Sequence, residues 1–116
     1  MRFDPTAHLP LTSAMFQVLV ALADGEKHGY AILKEVARRS GGKVTLRAGT
    51  LYTVIRRFVD DALIVESAER PDPALDDERR RYYRLTDNGR AVAMAEADRL
   101  AETLKQARAK LAMRRA

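Results

Sequence analysis

The sequence predicts a mostly α-helical domain that carries one small β-hairpin. Apolar residues recur at helical spacing in three successive segments, at about residues 13–23, 28–39 and 50–60. Two short segments rich in β-branched and aromatic residues follow, at 63–69 and 79–85, separated by a turn-forming stretch. A fourth amphipathic segment then closes the chain. Three helices, a two-stranded wing and a final helix are the layout of a winged helix-turn-helix with a C-terminal dimerisation helix.

Composition limits the kind of protein this can be. The chain has 116 residues, 47% of them hydrophobic, which suits a single domain with a packed core. Its net charge of +5 favours a polyanionic partner. Because there is no cysteine, disulfides and thiolate metal sites are excluded. With no secretory signal pattern and no apolar run of membrane-spanning length, we expect a cytoplasmic protein and no membrane partner.

Capping and turn residues divide the chain. Thr12 is the expected N-cap of the first helix, Asp24-Gly25 ends it, and Thr86 is the expected N-cap of the last helix, which can run to about Met113. The segment 43–47 is too short for a helix and reads as a brief strand or an extended loop. We therefore expect a flexible N-terminal arm at 1–10, a winged helix-turn-helix domain at 11–86 and a dimerisation helix at 87–116.

The third helix has two chemically different sides. Its apolar stripe comprises Leu51, Val54, Ile55, Phe58 and Val59. Its opposite side carries Thr50, Tyr52, Thr53, Arg56, Arg57 and Asp60. Hydroxyl, phenol and guanidinium groups are those that contact phosphates and base edges. An ordinary solvated helix is the alternative, but its place before a wing favours DNA contact.

Three consecutive arginines, Arg79, Arg80 and Arg81, stand at the base of the predicted wing. We expect DNA contact from at least one of them. The preceding acidic residues 76–78 offer an alternative, because they could pair with the arginines. In a regular strand Arg79 and Arg81 share a face with Tyr83, so all three cannot point into one groove.

The last helix carries a seam of apolar residues spaced alternately by four and three. They are Ala93, Ala97, Leu100, Leu104, Ala107 and Leu111. This spacing is typical of helix–helix interfaces. Since the seam spans fewer than three heptads, we expect it to pack on a second copy and on the domain body rather than form a free rod.

No residue pattern indicates catalysis, a metal or a cofactor. His8 and His28 are the two histidines, and no cluster of ligands surrounds either in the sequence. Gly41-Gly42 lacks the following Lys-Ser/Thr of a phosphate-binding loop. We therefore expect that the protein is not an enzyme.

Four short motifs, in this order and spacing, resemble the PadR family of transcriptional regulators. They are His28-Gly29-Tyr30-Ala31-Ile32, Gly49-Thr50-Leu51-Tyr52, Leu63-Ile64, and Arg80-Arg81-Tyr82-Tyr83-Arg84-Leu85-Thr86 with Gly89. The single C-terminal helix is similar to that of the shorter subgroup. The resemblance implies a homodimer that binds a pseudo-palindromic operator, usually as a repressor, and in many relatives is released by a small aromatic molecule.

The resemblance also assigns roles to residues. Thr50, Tyr52, Thr53 and Arg56 map onto the DNA-recognition helix. Tyr30 maps onto the second helix, which contacts the DNA backbone, and Arg79 to Arg81 map onto the wing.

The sequence departs from the family pattern at particular positions. Relatives commonly have glycine where this chain has Ala62; a left-handed backbone there would cost about 1 kcal/mol, and a different turn is the alternative. Phe58 stands where a smaller aliphatic residue is usual. The seam is rich in alanine and the chain has no tryptophan, which argues against a roomy aromatic pocket at the dimer centre.

Two other functions remain open at this point. In one, ligand or drug sensing is primary and DNA binding is the output; an apolar cavity at the dimer interface would favour it. In the other, the winged helix binds a protein without DNA; Arg56 and Arg57 argue against that.

Overall fold

The computed structural model describes residues 2–67 and 81–113. Its elements are a 3-10 helix at Pro5–His8, α1 at Ser13–Ala21, β1 at Lys27–His28, α2 at Gly29–Arg39, α3 at Ala48–Asp60, β2 at Ile64–Ser67, β3 at Tyr82–Leu85 and α4 at Asp87–Leu111. The predicted order of helices, wing strands and final helix is confirmed, and the architecture is that of a winged helix. No helix in these two ranges is both long and apolar enough to cross a membrane.

The sheet has one strand more than the predicted hairpin. Its three antiparallel strands lie in the order β1-β3-β2. In β1, Lys27 pairs with Tyr83 and His28 pairs with Tyr82. A two-residue strand has no period of its own, so only pairing with a distant segment reveals it. The sequence left two alternatives for the segment 43–47, a brief strand or an extended loop. The structure shows a loop.

Side chains cap three of the four described α-helices. The Thr12 hydroxyl accepts a hydrogen bond from the Met15 amide at 3.1 Å, and the Thr86 hydroxyl accepts one from the Gly89 amide at 2.9 Å. Both predicted N-caps are therefore confirmed. At the start of α2, the His28 Nδ1 accepts a hydrogen bond from the Ala31 amide. Each cap satisfies a backbone donor that has no partner within the helix.

One apolar core joins the helices to the sheet. Its buried members are Leu11, Val18, Leu19, Ala21, Leu22, Ile32, Val36, Leu51, Ile55, Phe58, Leu63, Ile64, Tyr83, Leu85 and Val92. Three of the five predicted stripe residues of α3 are in it, Val54 is half-buried, and Val59 is 40% exposed. Phe58, the departure from the family pattern, is 1% exposed and fills the space between α3 and the rest of the core.

A left-handed residue ends α3. Ala62 has a φ of 59°, which confirms the left-handed alternative at this position. The Leu63 amide donates to the Phe58 carbonyl at 2.8 Å, and the Ala62 amide donates to the Val59 carbonyl at 3.1 Å. This pair of bonds is a Schellman motif, in which glycine is the usual left-handed residue. Alanine therefore bears a steric cost here.

The N-terminal segment, expected as a flexible arm, lies against α4 and contains a 3-10 helix. The Leu11 amide at its end donates to the Glu96 carboxylate of α4 at 2.7 Å. Glu96 is only 1% exposed, and Arg99 donates to its other oxygen. The Arg99 hydrogen bond, with that from Leu11, lowers the pKa of Glu96 and outweighs the opposing effect of burial. Glu96 thus fastens the chain entering α1 to the final helix.

The start of α4 packs tightly on the residue before β2. A Cβ added at Gly89 would lie 2.0 Å from the Leu63 carbonyl oxygen and 2.7 Å from the Leu85 Cδ1. The same Leu63 oxygen accepts a hydrogen bond from the Thr86 amide at 3.1 Å. Only a residue without a side chain allows this approach, which explains a glycine in the first turn of a helix.

Candidate nucleic-acid interface

The polar side of α3 faces solvent. Leu51, Ile55 and Phe58 anchor the helix in the core, so residues about 180° away around the axis point outward. The five residues predicted on this helix are all exposed: Thr50, Tyr52, Thr53, Arg56 and Arg57. Hydroxyls, a phenol and two guanidiniums are thereby presented along about two turns of helix.

The start of α2 lies beneath the Tyr52 ring. A Cβ on Gly29 would be 2.7 Å from the Tyr52 hydroxyl oxygen, so the absence of a side chain at Gly29 makes room for the phenol. Tyr52 remains 47% exposed, with the rest of its ring at the surface. The contact fixes the start of α2 against the first turn of α3.

Tyr30 stands at the same end of α2 and is 55% exposed. Its ring is nearly parallel to that of His28, with centroids 6.3 Å apart. The Lys34 Nζ lies 5.0 Å from the Tyr30 ring centroid, one helical turn along, which is within cation–π range. Sequence reasoning did not select Lys34, although its spacing of four from Tyr30 places both on one face of a helix.

The loop before α3 adds further positive charge. Lys43 and Arg47 are both exposed, and Arg47 occupies the N-cap position of α3 without a side-chain capping bond. The sequence pattern did not single them out, because the segment 43–47 has no helical or strand period that assigns its residues to a face. Their position next to the exposed end of α3 was the available signal.

A cleft of about 480 Å³ separates α3 from the wing. Tyr52 and Arg56 line it from α3, and Glu66, Arg81 and Tyr83 line it from the strands. The Arg81 guanidinium lies 3.4 Å from the Glu66 carboxylate. Arg81 is exposed beside α3, while the other two predicted wing residues, Arg79 and Arg80, lie outside the described residues.

The floor of this cleft is the buried Tyr83. Burial raises the pKa of the Tyr83 phenol, and the negative charge of Glu66 acts in the same direction. Tyr83 therefore stays neutral at physiological pH and keeps its hydroxyl proton. Two arginines, Arg56 and Arg81, and two carboxylates, Asp60 and Glu66, line this open cleft.

The seam on α4 divides into two parts. Ala93 is half-buried and packs against the core, whereas Leu100, Leu104 and Leu111 are 40%, 51% and 82% exposed. Ala97 is exposed and Ala107 is half-exposed on the same side. A helix of this length extends about 37 Å, and its second half carries large apolar side chains that nothing in the described chain covers.

The described residues hold no cluster of three or more histidine, cysteine, aspartate or glutamate side chains that could bind a metal ion. The His8 ring lies 5.4 Å from the Phe3 ring in a tilted arrangement, while His28 caps α2.

Known proteins with a similar sequence or fold are transcriptional regulators. A family model described as the transcriptional regulator PadR-like family matches residues 18–95. A PadR family transcription regulator from Clostridium difficile R20291 is similar, with a TM-score of 0.71 and 23% identity over 86% of this chain and 99% of that chain. Bacillus subtilis PadR, solved in complex with operator DNA, has a TM-score of 0.60 and 20% identity over 72% of this chain and 47% of that chain.

Bordetella bronchiseptica BpsR, whose DNA binding is regulated by 6-hydroxynicotinic acid, shares 32% identity with a TM-score of 0.61, over 84% of this chain and 64% of that chain. No curated protein sequence matches the chain. The family model covers well over half of the sequence, and the helix order, wing and exposed α3 face agree with it. The chain belongs to the PadR-like family of transcriptional regulators.

Proposed function

We propose that this regulator binds double-stranded DNA sequence-specifically, as a homodimer on a pseudo-palindromic operator. The observation that carries the proposal is the exposed polar face of α3 beside a cleft flanked by Arg56 and Arg81. An α-helix fits the major groove, and a wing beside it reaches the adjoining backbone or minor groove. Both elements here present positive charge on the same side of the domain.

The side chains suggest a division of labour. Arg56 lies on the exposed face of α3, and a bidentate contact to guanine is the commonest specific use of arginine. Thr50, Tyr52 and Thr53 lie nearer the start of the helix, where recognition helices contact base edges. Tyr30 with Lys34, and Arg81 on the wing, are placed for phosphate contacts, which position the protein without reading sequence.

The exposed seam of α4 supports dimerisation. Leu100 and Leu104 are 40% and 51% exposed in the single chain. Because full burial of a leucine contributes about 1.5–3 kcal/mol, covering the surface that remains exposed on each would contribute roughly 0.6–1.5 kcal/mol. In a dimer with a two-fold axis beside α4, the two α3 helices would enter successive major grooves on one face of the duplex.

Repression follows if the operator overlaps a promoter, and the family resemblance supports this mode. A small aromatic effector is the second part of the proposal, supported by the similarity to BpsR, which responds to 6-hydroxynicotinic acid. The alanine-rich seam argues for a compact effector rather than a large planar one.

Selection of bound duplexes from a random pool by the full chain tests the proposal. We expect an inverted repeat whose half-site centres are one helical turn, about 10 bp, or a multiple of it apart. Recovery of unrelated sequences, with no enrichment above the starting pool, would contradict sequence-specific binding.

Sedimentation velocity tests the dimer. Replacing both Leu100 and Leu104 by Asp should give a monomer, because two charges would have to be buried at the seam. Ala109→Asp, which adds a charge on the opposite side of α4, should remain dimeric. A stable dimer in the double variant would place the interface elsewhere.

A further inference from the structure

A carboxylate lies on the surface that we assign to DNA. Glu66 lines the cleft between α3 and the wing, and its carboxylate lies 3.4 Å from the Arg81 guanidinium. Both side chains are largely open to water, 47% exposed for Glu66 and 63% for Arg81. Asp60 of α3 lines the same cleft, but the described ion pair with Arg81 is made by Glu66. A carboxylate here opposes DNA binding, because phosphates would pass through the same space.

The strand register shows why Glu66 faces α3. Glu66 is directly opposite Tyr83 in the β2–β3 ladder, and residues directly opposite share one face of a sheet. Tyr83 is buried, and it lines the cleft together with Ile55 and Arg56 of α3. The Glu66 carboxylate therefore lies on the α3 side of the wing, paired with Arg81 in the cleft that Arg56 also lines.

The ion pair is poorly suited to a stabilising role. Exposed pairs contribute about 0–1 kcal/mol to folding, since water already solvates both charges. The two strands are joined by four paired positions and anchored by the buried Ile64 and Leu85. Loss of the Glu66 charge should therefore leave the wing in place.

We propose that Glu66 competes with DNA phosphates for Arg81. In the free protein the Glu66 carboxylate pairs with Arg81, and a DNA phosphate that binds Arg81 must displace it. This inference rests on the proposed DNA-binding function. A phosphate arriving at Arg81 meets the repulsion of the carboxylate and has to break an existing pair. Both effects are independent of base sequence, so Glu66 lowers affinity for every duplex and limits non-specific binding.

Glu66→Gln tests this, because it removes the charge and keeps the shape. Affinity is measured at 0.15 M salt for a duplex recovered by selection and for a random duplex of the same length. We expect tighter binding to both, by about two- to fivefold per half-site, the range of an exposed ion pair. Glu102→Gln makes the same charge change on α4, far from the cleft, and should alter neither affinity because salt screens distant charges.

The Arg81→Gln background identifies the group through which Glu66 acts. If Glu66 competes for Arg81, the gain from Glu66→Gln disappears when Arg81 is already replaced. An undiminished gain in that background would overturn the competition, and weaker binding by Glu66→Gln would overturn it as well. If the wild type binds neither duplex, the proposed function fails together with this inference. If the wild type binds and Glu66→Gln does not tighten binding, only the role of Glu66 fails.

Discussion

Replacing Gly89 by Ala should strongly destabilise the fold. The added Cβ would lie 2.0 Å from the Leu63 carbonyl oxygen, whereas real Cβ contacts are essentially never shorter than 3.0 Å. The start of α4 and the residue before β2 must therefore separate by at least about 1 Å. That movement also stretches the hydrogen bond from the Thr86 amide to the same oxygen, now 3.1 Å.

The magnitude follows from these contacts. Overpacking against a rigid group costs about 1–3 kcal/mol, and weakening a buried hydrogen bond adds about 0.5–1.5 kcal/mol. The better helix propensity of alanine offsets at most about 1 kcal/mol. These contributions sum to a net loss of about 0.5–4.5 kcal/mol in the free energy of unfolding. Because the clash is with a backbone oxygen at 2.0 Å, we expect the upper half of that range and a fall in the midpoint temperature of about 10 °C or more.

Thermal and urea unfolding, followed by circular dichroism at one protomer concentration, measure the effect. Gly49→Ala is the matched control, since nothing lies within 4 Å of its added Cβ in the first turn of α3. It should stabilise the protein by about 0.4–1 kcal/mol. A Gly89→Ala midpoint equal to that of the wild type would refute the close approach of α4 to Leu63.

Ala62→Gly should stabilise the protein by about 1 kcal/mol in urea unfolding, because glycine adopts the left-handed φ of 59° without strain; an unchanged midpoint would contradict this. Glu96 has a lowered folded-state pKa, so its stabilisation is complete above an unfolded-state pKa of about 4.3 and is lost as pH falls through the folded-state value. Glu96→Gln should therefore lower stability at pH 7 and approach the wild type in acid; parallel pH profiles would argue against it. Arg56→Ala should cost about 1–3 kcal/mol per half-site and relax preference at one base position; an equal loss on random duplexes would make Arg56 a phosphate contact.

The elements with strong local signals were predictable from the sequence. The apolar period of α3, the threonine caps and the β-branched wing strand each depend on neighbours within a few residues. β1 was not predictable, because Lys27 and His28 form a strand only through pairing with Tyr82 and Tyr83. The packing of the N-terminal segment on α4 is equally non-local.

The site was predictable in kind and less so in detail. Exposure of Tyr52 and Arg56 follows from the helical period, but the pairing of Arg81 with Glu66 depends on how two strands fold against α3. Glu96 was overlooked because a glutamate usually marks a solvated face. Its spacing from Val92 and Gly89, at four and seven residues, places it on their buried face and was the available signal.

The connection between the wing and the final helix is short and rigid at Thr86. β3 ends at Leu85 and α4 begins at Asp87, so one residue joins them. The Thr86 amide is bonded to the Leu63 carbonyl, and its hydroxyl bridges the Ala62 carbonyl at 2.7 Å and the Gly89 amide. A tilt of α4 cannot be absorbed there without breaking these bonds. A movement of the far end of α4 therefore also moves the wing and the C-terminal end of α3.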